Sequence, residues 1–311
     1  MIPAKKQFEI HKKRDFGEVI SDTFLFVRIH FNPLLRAILT IAGPFILLAS
    51  IYTAFTQVNM LDISRLPGNF NLFGLNLIIS NMFLFLAILL LYTTVHSYVK
   101  NVMEITDNAK PTVEEVWRGA KTGIWKSIGI GLGFGLIMMI IAGAYAFIFR
   151  LGGAVLMVFV FLIGFFAVIY FIFRFVYTFP AALVDEYSVA ESFSRSWKLT
   201  YDHFWANFGI ALVFSLLISM VGLVAMIPYF ILTFMTAMHG SAGISPIWKF
   251  VVIVTQTAGT FIANSSYAVF AIAFIIQYFS AVEKTEGVGL LQKIENLELT
   301  KEDERWGEET Y

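Results

Sequence analysis

Six stretches of this chain are each long and apolar enough to cross a bilayer, and that feature leaves few folds open to it. They run over about 34–56, 75–99, 127–149, 154–179, 206–237 and 247–280. Each exceeds the ~20 apolar residues that a spanning helix needs, so the expected fold is an all-α integral membrane protein with six transmembrane helices. Composition points the same way: 58% of the residues are hydrophobic and 14% charged, against ~25% charged in a soluble domain. The fifth and sixth stretches exceed ~25 residues and must tilt, kink or project from the hydrocarbon. Proline marks the weak points. Pro33 is expected to break or bend the chain before the first span, Pro44 interrupts that span, Pro180 ends the fourth and Pro228 kinks the fifth.

Around this membrane domain, 15–281, lie a basic tail at 1–14 and an acidic tail at 282–311. The first carries Lys5, Lys6, Lys12, Lys13 and Arg14 and can attract anionic lipid. The second holds nine acids and four bases and reads as a solvated tail. The start lacks the apolar core and cleavage site of a signal peptide, so the first span is expected to stay in the mature protein. Net charge is zero, which gives no ground for a nucleic-acid partner. Cysteine is absent, which excludes disulfides, thiolate catalysis and Cys-ligated metals. Lys100, Lys110, Arg118, Lys121, Lys126, Arg195, Lys198 and Lys284 fall on the same side as the two tails, while Arg65, Arg150 and Lys249 fall on the other. Positive charge stays inside, so both termini are expected in the cytoplasm.

Three inward segments share a pattern: Asp15-x-x-Glu18, Thr112-x-x-Glu115 and Ser188-x-x-Glu191. In each, a short polar side chain caps a helix and an acid three residues on reaches back. One residue after each cap stands Phe16, Val113 or Val189, and five after it Ile20, Trp117 or Phe193. Aromatic rings and cations on one helix suit the headgroup boundary. The expected unit is an interfacial amphipathic helix, a span, a short outer loop and a second span, occurring three times. In the third copy, Glu191 with Arg195 and Lys198 with Asp202 are spaced for i,i+4 ion pairs.

The stretch Glu191, Ser196-Trp197-Lys198-Leu199 and Phe204-Trp205, followed by a span, resembles a bacterial family. So do Tyr278-Phe279-Ser280, Glu283 and Glu286-Gly287-x-Gly289-Leu290 and, more weakly, Phe16-Gly17-Glu18-Val19-Ile20. The family is the membrane domain attached to some glycerophosphoryl diester phosphodiesterases, with its stand-alone relatives. The hydrolase domain of that family would bring a His-Arg pair and metal-binding carboxylates. No His-Arg dipeptide occurs here, so the resemblance implies a bacterial inner-membrane module without that hydrolase activity.

Candidate site residues follow from position. Phe24, Trp117, Arg195, Trp197, Lys198 and Trp205 are expected at the lipid interface. Arg174 lies near the end of the fourth span. It is either an anion or lipid-phosphate contact or, the plainer expectation, a snorkelling arginine paired with Asp185 or Glu186. Gln256, Asn264 and Gln277 in the sixth span, like Asn76, Ser80, Asn81 and His96 in the second, either line a polar cavity or act as interhelical glue worth ~0.6 kcal/mol each. Gly129, Gly131, Gly133 and Gly135 read as a close-packing stripe rather than a phosphate loop, since no strand precedes them. The five histidines show no metal-ligand spacing, and no metal or cofactor is expected. With no acid dyad or Ser-His pairing in the spans, the chain reads as a non-enzymatic scaffold or regulatory module, its partners membrane lipids and a protein at the cytoplasmic face. The alternative is a transporter or lipid-handling protein with a central cavity.

Overall fold

A computed structural model describes residues 9–61, 70–105, 109–151, 154–238 and 246–287. Lys5, Lys6, Arg65, residues 152–153 and 239–245 and the acidic tail from 288 lie outside the described residues. Within them the chain is all-helical: α1 (Phe16–Ile41), α2 (Gly43–Leu61), α3 (Phe70–Glu104), α4 (Val113–Leu151), α5 (Ala154–Arg174), α6 (Thr178–Leu183), α7 (Val189–Leu199), α8 (Phe204–Met238) and α9 (Pro246–Glu286). Six segments are long and apolar enough to span a membrane, the expected number: Phe16–Ile41, Leu75–Glu104, Val113–Ile148, Val160–Leu183, Phe204–Val224 and Ile247–Glu286. The first takes in the stretch expected to lie at the interface and replaces the expected 34–56.

All three capping boxes form. Asp15 Oδ1 accepts the Glu18 amide at 2.7 Å and Glu18 Oε2 accepts the Asp15 amide at 3.1 Å. Thr112 with Glu115 and Ser188 with Glu191 repeat the exchange. Each box satisfies two amide donors that a helix start leaves open.

The first unit departs from expectation at its proline. α1 runs straight through Pro33 and stops at Ile41, so the break falls at Ala42, and the Ala42 carbonyl collects the amides of Phe45 and Ile46 as α2 begins. Pro44 sits in the first turn of α2, where a missing amide costs little. Pro33 deprives the Ile29 carbonyl of its helical donor, and Lys110 Nζ supplies one at 3.1 Å. In the second unit the cap opens a helix continuous with the apolar run, α4 of 39 residues, and in the first it opens α1 of 26 residues, which enters that run and stops at Ile41. Only the third has a separate surface helix, α7, ended before α8 by turns at 200–203.

α9 is the axis of the bundle. It packs on α8, α2, α3 and α1, and near its end on α6 and α7, and it is the most buried of the six spanning segments. Small side chains allow this approach, with Ala268, Ala271 and Ala273 buried among Ile272, Ile275 and Ile276. Outward faces of α4, α5 and α8 expose Leu136, Ile140, Phe161, Phe166, Val224 and Phe234. Such a belt is stable against lipid and not against water. The glycine stripe works as predicted where α7 lies on α4. A Cβ on Gly129 would fall 3.0 Å from Val189, and one on Gly133 2.8 Å from Phe193, while Gly131 seats Phe85 on another side. Gly135 has open space around it.

Candidate functional site

The strongest polar interactions gather at one end of the bundle, where the starts of α1, α4 and α8, the end of α3, all of α6 and α7, and the end of α9 meet. Arg195 on α7 reaches α9. Its Nη1 and Nη2 donate to the two carboxylate oxygens of Glu286 at 2.9 and 3.0 Å, and its Nε donates to the Tyr278 hydroxyl at 3.0 Å. That hydroxyl donates in turn to Asp185. Burial pushes the Asp185 carboxyl above its ordinary value, opposed by the Tyr278 hydrogen bond and the Arg195 charge. Lys100 pairs with Glu186 and holds that carboxyl below the ordinary range. Glu186 sits at φ 63°, in the left-handed region. There Lys126 Nζ caps the turn, donating to the carbonyls of Ala182 at 3.1 Å and Glu186 at 3.0 Å. Lys100, Lys126, Glu186, Thr93, Ser97 and Thr122 line a cavity of about 240 Å³.

Two expected ion pairs give way to this arrangement. Glu191 is held by its capping box and Arg195 by Glu286, so they do not pair with each other. α7 ends at Leu199, so Asp202 is not one turn beyond Lys198 on the same helix. Arg195, expected at the lipid interface, forms a clasp between α7 and α9. Arg14, expected in the basic lipid-attracting tail, is buried. Its Nε donates to Asp22 at 2.7 Å, its backbone amide to Ser280 Oγ at 3.0 Å, and Ser280 Oγ donates back to the Arg14 carbonyl.

The remaining candidates separate into surface and core. Trp205 is 78% exposed, and Trp117 and Lys198 are exposed too. Trp125, not singled out in the sequence, is as open as Trp205. Phe24 stacks on Phe214 at 5.8 Å. Trp197 lies over Arg174, whose guanidinium carbon is 4.1 Å from its ring centroid. Arg174 pairs with neither Asp185 nor Glu186, because Tyr278 and Lys100 hold those carboxylates. Gln256 is buried and donates to Gln57 across α9 and α2. Gln277 Nε2 donates to Asn207 Oδ1 at 3.2 Å, which also accepts the Tyr177 hydroxyl at 2.6 Å. Asn264 is half-buried on α9. A second cavity, about 160 Å³ and aromatic, lies between α3, α5, α6 and α9, with Tyr92, His96, Phe175, Phe179 and Phe274 on its walls.

Six membrane-length helices, a lipid-facing apolar belt and a polar end cross-linked by side chains define a multi-pass α-helical integral membrane protein. Residues 146–304 match the family described as the membrane domain of glycerophosphoryl diester phosphodiesterase, and the chain belongs to that family. The match is to the membrane domain and not to a catalytic one. It covers two of the three motifs that carried the resemblance, those around Trp197 and Tyr278, and leaves the one at Phe16 outside. No curated protein and no solved structure matches the chain.

Proposed function

We propose that the protein is a non-enzymatic module of a bacterial cytoplasmic membrane, with both termini in the cytoplasm, that presents its polar end as a docking and regulatory surface. One observation carries this reading: charged clasps such as Arg195–Glu286 and Lys100–Glu186 sit at the end where the basic residues cluster, while the described spans hold neutral hydrogen bonds such as Gln57–Gln256. Basic flanks favour the cytoplasmic side. Exposed Trp117, Trp125 and Trp205 suit its headgroup boundary. Engagement of Gln256 and Gln277 as helix-to-helix partners supports a scaffold over a transporter with a polar central channel.

The threefold repeat belongs to the same proposal. Phe16, one residue after the first cap, would meet a Cβ on Gly209 of α8 at 2.9 Å, as Val189, one residue after the third cap, meets Gly129 of α4. Lys110, just before the second cap, reaches Ile29 of α1. Each unit's start thus leans on another unit.

A photo-crosslinking side chain placed at Lys198 or Trp205 in cells tests the reading, with the same probe at Ile140 as the lipid-belt control. Enrichment of a protein or a particular lipid at the first two positions over the third is the expected result. Identical profiles at all three would overturn it.

A further inference from the structure

Arg174 is a cation without a counter-ion among the described residues. It is 4% exposed, no carboxylate pairs with it among the described residues, and its buried Nε has no acceptor there. Three rings surround the guanidinium, with centroids at 4.1 Å for Trp197, 5.4 Å for Tyr201 and 5.6 Å for Tyr170. Tyr201 is 75% exposed, so the box opens to the surface on that side. Its backbone is pinned as well, since the Arg174 carbonyl accepts the hydroxyls of Ser196 at 2.9 Å and Thr200 at 3.1 Å.

Ring faces and the C-terminal end of α5 favour a cation here, but neither offers an acceptor along the guanidinium's N–H bonds. A poorly solvated charge with unmet donors is expensive at membrane depth. The acids expected to pair with it are engaged elsewhere, Asp185 with Tyr278 and Glu186 with Lys100, as is Glu286 with Arg195. Asp202, beside Tyr201, is exposed and makes no ion pair with it among the described residues. What remains beside a Trp and Tyr cluster at the headgroup boundary is lipid phosphate. We propose that Arg174, Trp197 and Tyr201 form a binding site for the phosphate of an anionic phospholipid, with the planar guanidinium donating to two phosphate oxygens as such forks do. This rests on the polar end facing lipid headgroups, but its test needs neither the orientation nor a protein partner, so the two readings fail separately.

The full chain in detergent micelles, doped with equimolar phosphatidylglycerol and phosphatidylcholine, is followed by native mass spectrometry. Wild type is expected to retain phosphatidylglycerol over phosphatidylcholine by about tenfold, because both carry the phosphate but the choline cation of the second offsets its attraction to the guanidinium. Arg174→Gln should abolish the preference and Arg174→Lys should keep part of it. Unchanged preference in a folded Arg174→Gln protein overturns the site. Displacement of phosphatidylglycerol by inorganic phosphate at millimolar concentration makes it a soluble-anion site and overturns the lipid assignment. Should Arg174→Gln fail to fold, the exposed Tyr201→Leu variant decides: a several-fold loss of preference supports the site, and full retention overturns it.

Discussion

The ammonium of Lys110 donates across 3.1 Å to the carbonyl of Ile29, the acceptor that Pro33 leaves without a helical amide. A residue at the threshold of α4 thereby repairs a defect inside α1, which lets α1 continue past Pro33 instead of breaking there.

That repair predicts a coupling. Lys110→Met is expected to lower stability by no more than about 1 kcal/mol, since water can partly replace an exposed donor. Pro33→Ala restores the amide and should erase the effect of Lys110→Met. A double-mutant cycle on detergent-solubilised protein, read by thermal unfolding, measures the coupling directly. Additive single effects would show that Lys110 does not serve Ile29.

The glycines of α4 are predicted to differ by position. Gly133→Ala puts a Cβ 2.8 Å from Phe193 and should destabilise by roughly 1–3 kcal/mol through overpacking. Gly135→Ala meets open space and should be neutral or stabilising by up to about 1 kcal/mol from helix propensity. Melting temperatures of the two variants in the same detergent check the contrast. Equal shifts would mean that α7 does not rest on Gly133.

What the sequence made legible was local. Capping boxes close within four residues, and the glycine stripe repeats within one helix, so both can be read from spacing alone. The clasps cannot. Arg195 finds Glu286 at a separation of 91 residues and Tyr278 finds Asp185 at 93. Spacing offered Arg195 the nearer Glu191, which the helix start had already claimed. Arg14 reads as one more charge of the basic tail until the fold brings Ser280 beside its backbone, and a proline pattern gives no hint that a lysine 81 residues away from Ile29 will mend the helix. The absent partner of Arg174 was equally hidden, because its expected acids were spent on residues from other helices.

The Arg195 clasp gives a stability prediction that an interfacial role does not. Glu286→Gln removes half of a two-pronged ion pair whose partners are 18% and 38% exposed. The expected loss is about 1 kcal/mol after allowance for solvent screening. Lys198→Ala, at an open position on the same helix, should stay within about 0.5 kcal/mol. Chemical denaturation of both variants separates the cases. A neutral Glu286→Gln would show that the clasp does not hold α7 to α9.

Asp185 sets a pH dependence with a definite sign. Burial raises its carboxyl in the folded protein, so the folded state holds the proton more tightly than the unfolded chain does. Its contribution is then fully present below the unfolded value and is lost as pH rises through the folded one. Glu186, lowered by Lys100, acts in the opposite sense: its contribution is present above the unfolded value and is lost in acid. Asp185→Asn keeps an acceptor for Tyr278 without the charge. It should abolish the fall in stability from about pH 4 upward that Asp185 imposes, which unfolding midpoints across pH would show. An unchanged slope in Asp185→Asn would place the titration elsewhere.

Orientation can be tested cleanly because the chain has no cysteine. α4 has 39 residues, a length of ~58 Å, enough to carry Arg150 from the polar end across the hydrocarbon to the far side. Arg150 and Asp202 are both exposed, so each accepts a single cysteine without disturbing the core. With the basic end in the cytoplasm, Arg150→Cys should react with a membrane-impermeant maleimide on intact bacterial cells stripped of their outer wall. Asp202→Cys should react only after the membrane is opened. The converse pattern would invert the protein and remove the cytoplasmic docking surface. The Arg174 site would survive, because lipid phosphates line both faces of a bilayer.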